Sequence, residues 1–145
     1  MKISLGSDHA GYRLKTAIAA FLRAQSHVVL DRGTDSDASV DYPDFAHAVA
    51  TDVATGAARF GVLVCSSGIG ISIAANKVQD IRAAVCTNED IAEFSRRHND
   101  ANVICFGQKY VTEDMAKKYL ALFLTTPFEG GRHERRVKKI EPTGE

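Results

Sequence analysis

At 145 residues the chain is long enough to bury roughly 68–70% of its unfolded surface without disulfides or metal. Eighteen Lys and Arg cancel eighteen Asp and Glu, which removes any global argument for nucleic acid or an anionic membrane as partner. Cys65, Cys86 and Cys105 form an odd set without CxxC or Cys/His spacing, which argues against a disulfide framework and a structural zinc site and fits a reducing cytosol.

The first apolar run, residues 2–5, breaks into Gly6-Ser7-Asp8-His9-Ala10-Gly11. That is too soon for the apolar core of a signal peptide, and no later run approaches the ~20 residues that span a bilayer. A cytoplasmic protein, off the membrane, is expected. Leu14, Ala17, Ile18, Phe21 and Leu22 then recur at i, i+3, i+4, i+7 and i+8, the spacing of a helix with one buried face. Residues 27–30 read as a second strand, and a helix begins near Asp41-Tyr42-Pro43, with Pro43 close to its first position. The third strand, residues 60–64, runs into Cys65-Ser66-Ser67-Gly68-Ile69-Gly70, which opens another helix.

Residues 82–85 and 102–106 read as strands four and five, and the helix between them ends in Arg96-Arg97-His98-Asn99-Asp100. Thr112 caps a further helix, with Glu113 and Asp114 in its first turn and Ala116, Tyr119, Leu120, Phe123 and Leu124 along one face. Over residues 131–145 the apolar period is lost and the chain reads as a basic tail. Five strands alternating with helices predict a single doubly wound, Rossmann-like α/β domain over residues 1–145, with a five-stranded parallel sheet. In such sheets ligands bind at the carboxyl ends of the strands, near the switch in strand order.

Three phosphate-binding patterns fail at those strand ends. Gly6 and Gly11 have Walker spacing, but Tyr12 stands where the lysine belongs. Gly68-Ile69-Gly70 begins like a dinucleotide fingerprint, but Ile73 stands at the third glycine, after the third strand rather than the first. A cysteine phosphatase needs an arginine at the end of the loop after Cys65, where Ile71 and Ser72 stand.

What remains is a glycine-containing turn at a helix N-terminus, whose free N–H groups suit an oxyanion or phosphate. The same positive end favours a thiolate at Cys65, and a thiolate beside oxyanion donors suits proton abstraction next to a carbonyl. A buried core cysteine is the alternative reading, and it is the one that fits Cys86 and Cys105. Asp8-His9 reads either as an acid/base pair or as the N-cap of the first helix. His98 and Asn99 read either as site residues or as a dipole-favoured His followed by a C-cap Asn. Arg132 and Arg136, four apart, read either as a fork on phosphate or as a solvated tail.

Taken together, GSDHAG at 6–11, DYP at 41–43, CSSGIG at 65–70 followed by SIAANK at 72–77, RHND at 97–100, and GGRH at 130–133 with Arg136 resemble the type B ribose-5-phosphate isomerases, beside which stand the galactose-6-phosphate isomerases. The resemblance covers nearly the whole chain. It implies an aldose–ketose isomerase of a sugar phosphate, working through an enediolate with no metal or cofactor. By position, Cys65 resembles the base that moves a proton between C1 and C2, and His98 the acid that opens the furanose ring, with Asp8 as its partner. Backbone groups of Ser66, Ser67, Gly68, Ile69 and Gly70 would hold the enediolate, and the Ser67 hydroxyl would pass a proton between its oxygens. Asn99 would contact the sugar, His9, Arg132 and Arg136 the phosphate, with Tyr42 and His133 as walls. The resemblance also implies a site completed across a homodimer, within a dimer or a tetramer.

Three positions depart from the family pattern. Ile71 replaces the glutamate base of one branch, which places the chain with the cysteine type. Ser66 replaces the glycine common after the cysteine, and Lys109 stands where several relatives carry arginine, a third and less forked phosphate cation. Two other functions fit the same pattern: isomerisation of a six-carbon sugar 6-phosphate, and a non-catalytic sugar-phosphate sensor, which would need neither Cys65 nor His98.

Overall fold

Residues 1–142 are described by a computed structural model. Strand and helix alternate along it: β1 (Lys2–Ser7), α1 (Tyr12–Ala24), β2 (Val28–Asp31), α2 (Tyr42–Ala54), β3 (Phe60–Cys65), α3 (Ile69–Asn76), β4 (Ala83–Val85), α4 (Glu89–Asn99), β5 (Val103–Gly107), α5 (Glu113–Thr125) and α6 (Arg132–Val137). The five strands form one parallel sheet in the order β2-β1-β3-β5-β4. This is the α/β fold that the alternation predicts. The strand order reverses between β1 and β3, so the crevice that the fold reserves for ligands lies between Ser7-Asp8 and Cys65-Ser66.

Both faces of the sheet are covered, which is why its strands read as continuous apolar runs rather than alternating ones. Phe60, Val62 and Val64 of β3 pack with Ile18 and Leu22 of α1, Ala92 of α4 and Leu120 and Phe123 of α5. Leu63 and Cys65 point the other way, into a second cluster with Val49 of α2 and Ile71 and Ala75 of α3. Cys65 is therefore the last residue of a buried strand, with its side chain on the α2–α3 face.

Two expectations change. The fourth strand shrinks from residues 82–85 to Ala83–Val85. It is an edge strand, and the side-chain amide of Asn76 occupies the backbone of Ala83, accepting from its N–H at 2.7 Å and donating to its carbonyl at 2.9 Å. The basic tail is not a solvated coil. Gly130 and Gly131 turn the chain with φ of 67° and 56°, and Arg132–Val137 then form a short helix against the end of α4, burying His133. Residues 143–145 of that expected tail lie outside the described residues.

A polar group on the α2 face ties acid stability to one carboxylate. Asp52 is 8% exposed and accepts from Arg32 Nε at 2.6 Å, Arg32 Nη2 at 2.7 Å and Ser4 Oγ at 2.7 Å. Burial opposes its charge, but the hydrogen bonds from Arg32 and Ser4, with the Arg32 charge, outweigh it and hold the carboxyl below its ordinary value. A folded pKa depressed in this way adds stability above the unfolded value of about 3.9, and that stability is lost as the pH falls through the folded value. Urea unfolding from neutral pH down to pH values below about 4 is expected to show a falling midpoint, with a shallower fall in Asp52→Asn.

Candidate active site

Three of the segments singled out in the sequence meet at the carboxyl ends of β1 and β3. The N–H of Asp8 donates to the Val64 carbonyl at 3.2 Å, which places the two loops side by side. Asp8 Oδ1 accepts from the Gly11 N–H at 3.1 Å, closing the turn that leads into α1. The N-cap of α1 is Gly11, with no side-chain cap, so Asp8 closes the turn ahead of the helix and does not cap it; among the described residues nothing bonds Oδ2. His9 Nδ1 accepts from the Val40 N–H at 3.2 Å, and Asp8, His9 and Tyr42 line a crevice of about 480 Å³. A Cβ on Gly70 would stand 2.7 Å from Cζ of Tyr42, so the tyrosine ring lies against the first turn of α3.

The loop after β3 is built around one left-handed residue. Gly68 has φ of 78°, and a Cβ there would meet the Gly107 nitrogen and the Phe106 carbonyl carbon at 2.9 Å. That backbone brings the Gly68 N–H to 3.1 Å from Cys65 Sγ. The Ile69 N–H goes to Ser67 Oγ at 3.2 Å, while Gly70 and Ile71 stand in the first turn of α3, where N–H groups lack intrahelical acceptors. Ser66 has a negative φ, so serine carries no left-handed strain where relatives have glycine. Its carbonyl accepts from the Lys109 N–H at 3.1 Å, which brings Lys109 to the same end of the sheet.

Cys65 differs from the other two cysteines. It is 4% exposed and holds a backbone donor at its sulfur. Burial pushes the Cys86 thiol up to about 12 and the Cys105 thiol well above its ordinary value, so those two are inert core thiols, as the sequence predicts.

The second cluster lies elsewhere. His98 and Asn99 end α4, and the Asn99 and Asp100 carbonyls accept from Arg82 Nε, just ahead of β4. The helix is capped by Asp100 rather than by Asn99, with φ of 46° and its carboxylate held by Arg96 and Arg82. The His98 ring stacks on His133 of α6, with centroids 4.2 Å apart and planes 9° apart, and leans on Phe94 one turn back. His98 Nε2 lies 3.2 Å from Glu129 Oε2. Burial, then the positive charges of His98, Arg132 and Arg136, hold His133 below the ordinary imidazole value. His98, Asn99, His133 and Arg136 line a separate hollow of about 320 Å³.

Cys65 pairs with Gly107 and Gly61 with Val103, so the two ends of the sheet stand about 13 Å apart along the strands. His98 precedes β5 and Cys65 ends β3. The chain therefore gathers Asp8, His9, Tyr42, Cys65, the loop after it and Lys109 at one end. It gathers His98, Asn99, Arg132, His133 and Arg136 at the other.

His98, Glu129 and His133 each offer a ligand atom within 4.8 Å of the others. The two rings lie in nearly parallel, separate planes, so their in-plane lone pairs do not converge on one ion.

A family model described as Ribose/Galactose Isomerase matches residues 3–140. The chain belongs to this family. It is thereby an enzyme, an aldose–ketose isomerase, as the resemblance implies. Ribose-5-phosphate isomerase B of Escherichia coli is 46% identical to it over 139 residues, covering 96% of this chain and 93% of that protein. The solved ribose-5-phosphate isomerase B of Clostridium thermocellum superposes on the isomerase with a TM-score of 0.96 at 51% identity, covering 97% of this chain and 95% of that one. The Mycoplasma genitalium enzyme, solved with bound ribulose-5-phosphate, matches with a TM-score of 0.92 at 41% identity, covering 96% and 93%. No helix among the described residues is long and apolar enough to cross a membrane.

The sequence reading leaves out two neighbours of His98 in the isomerase. Phe94 was available from helical spacing, since 94 and 98 are i and i+4. Glu129 had no such signal, because it reaches His98 only through the fold.

Proposed function

We propose that the isomerase interconverts ribose 5-phosphate and ribulose 5-phosphate, at a site formed by the Cys65 end of one copy and the His98 end of a second. The observation that carries this reading is the Gly68 N–H on Cys65 Sγ at the switch point of the sheet. Support comes from the relative that holds ribulose-5-phosphate at 41% identity. The two clusters lie at opposite ends of one sheet, so a homodimer is the arrangement that joins them.

In the first step His98 gives a proton to the ring oxygen while Asp8 takes the proton of the O1 hydroxyl, leaving the open aldehyde. The Cys65 thiolate then removes the C2 proton, and charge develops on O1 of an enediolate, which the N–H groups at the start of α3 receive. Ser67 Oγ passes the O2 proton to O1, and Cys65 returns its proton to C1, giving the ketose. His9, Arg132, Arg136 and Lys109 neutralise the phosphate, Asn99 contacts the sugar, and Tyr42 and His133 wall the pocket. No step calls for a metal or cofactor.

The whole chain acts as one domain, to which residues 131–142 bring phosphate-binding groups. Three free cysteines suit a reducing cytosol. A coupled assay in chelator is expected to give a kcat/KM for ribose 5-phosphate at least about tenfold above that for galactose or allose 6-phosphate, a difference of about 1.4 kcal/mol in transition-state binding. A preference for a six-carbon phosphate would replace the substrate and keep the chemistry. Absence of turnover on any of them would leave a sugar-phosphate sensor.

A further inference from the structure

We infer that Glu129 is a positioning residue for His98, holding its Nε2–H so that Nδ1 is the nitrogen presented to the sugar; this rests on the role proposed above for His98. Glu129 Oε2 lies 3.2 Å from His98 Nε2. The carboxylate is itself held: Arg97 Nε lies 3.4 Å from the same oxygen, and the Glu129 N–H donates to the Arg97 carbonyl at 3.0 Å. The backbone of residue 129 is thus pinned to the last turn of α4, one residue from the histidine it serves.

The rest of the ring's surroundings fix its plane, and the Glu129 carboxylate at Nε2 selects between the two orientations related by a half turn about χ2. Phe94 covers one side at 4.8 Å and His133 stacks on it at 4.2 Å, so the ring cannot turn freely about χ2. The charged and titratable groups around it are Arg97 on its own helix, Glu129 ahead of α6, and Arg132, His133 and Arg136 on α6. Among these, Glu129 supplies the negative charge beside the ring. A carboxylate on one nitrogen fixes the tautomer and the orientation, and it stabilises the imidazolium that donates from the other nitrogen. The proton that leaves from Nδ1 for the ring oxygen departs while the Nε2–H stays on Glu129. The imidazole is left neutral, in the tautomer ready to be reprotonated at Nδ1.

The test uses the full-length enzyme and ribose 5-phosphate. Glu129→Ala is expected to lower kcat by about tenfold or more, short of the 10²–10⁴ of a lost general acid, with KM changed by less than about threefold. Glu129→Asp is expected to recover most of the loss. Nitrogen-15 spectra of the imidazoles report the tautomer directly: His98 should carry its proton on Nε2 in the wild type and lose that preference in Glu129→Ala. Glu129→Met keeps the length but offers no acceptor oxygen, and serves if the alanine variant fails to fold. Wild-type kcat in the alanine variant, or in Met where Ala fails to fold, would overturn the inference, as would a lost kcat with the His98 tautomer unchanged. If the wild type turned over no sugar phosphate at all, the functional reading would fail instead.

Discussion

Cys65→Ala lowers kcat for ribose 5-phosphate by about 10²–10⁴-fold and leaves KM within about threefold of wild type, the pattern expected when a group acts in the transition state and not in ground-state binding. The sulfur lies at the end of a buried strand, with the Gly68 N–H on it at 3.1 Å. Neither of the other cysteines can replace it as base, since burial keeps the Cys86 and Cys105 thiols protonated. Asp8 already spends one oxygen on the Gly11 N–H. The proposed phosphate-binding residues would be unaffected, because they stand on other loops and on α6. Steady-state kinetics of ribose 5-phosphate conversion would check this, and near-normal turnover in the variant would contradict the role of Cys65.

Cys65→Ala and His98→Ala, each inactive or nearly so alone, regain about a quarter of wild-type activity when unfolded and refolded together in equal amounts. The fraction follows from counting. Random association puts half of the dimers in the mixed form, and each mixed dimer has one site with Cys65 from one copy and His98 from the other. Sites made within a single chain would give no recovery, because each chain would still lack one group. The expectation rests on the distance between the two ends of the sheet, about 13 Å along the strands with His98 beyond the far end.

Much of the fold was legible because the sheet is covered on both faces. Each strand then shows as an apolar run ending in Gly or small polar residues, and helices with a 3.6 period lie between. The short edge strand was overestimated because the Arg82 N–H goes to the Asn102 side chain, while its carbonyl still accepts from the N–H groups of Asn102 and Val103. The short helix of the tail was not legible for a different reason. Its composition is basic, but two left-handed glycines fold Arg132–Val137 back so that His133 meets His98, a contact between residues 35 positions apart. Ser66 sits in ordinary backbone, and the left-handed position falls two residues later, at Gly68. Single residues could be placed at strand ends from spacing alone. The division of the site residues between two ends of the molecule could not, since it depends on α4 running back across the sheet. Glu129 was invisible for the same reason.

Alkylation of Cys65 with iodoacetamide, followed by a chelator-containing assay of ribose 5-phosphate conversion and mass spectrometry of the label, puts the central claim to its most direct test. The expected result is loss of turnover in step with label on Cys65, slowed by ribulose 5-phosphate in the pocket. Full turnover by enzyme carrying the label on Cys65 would contradict it.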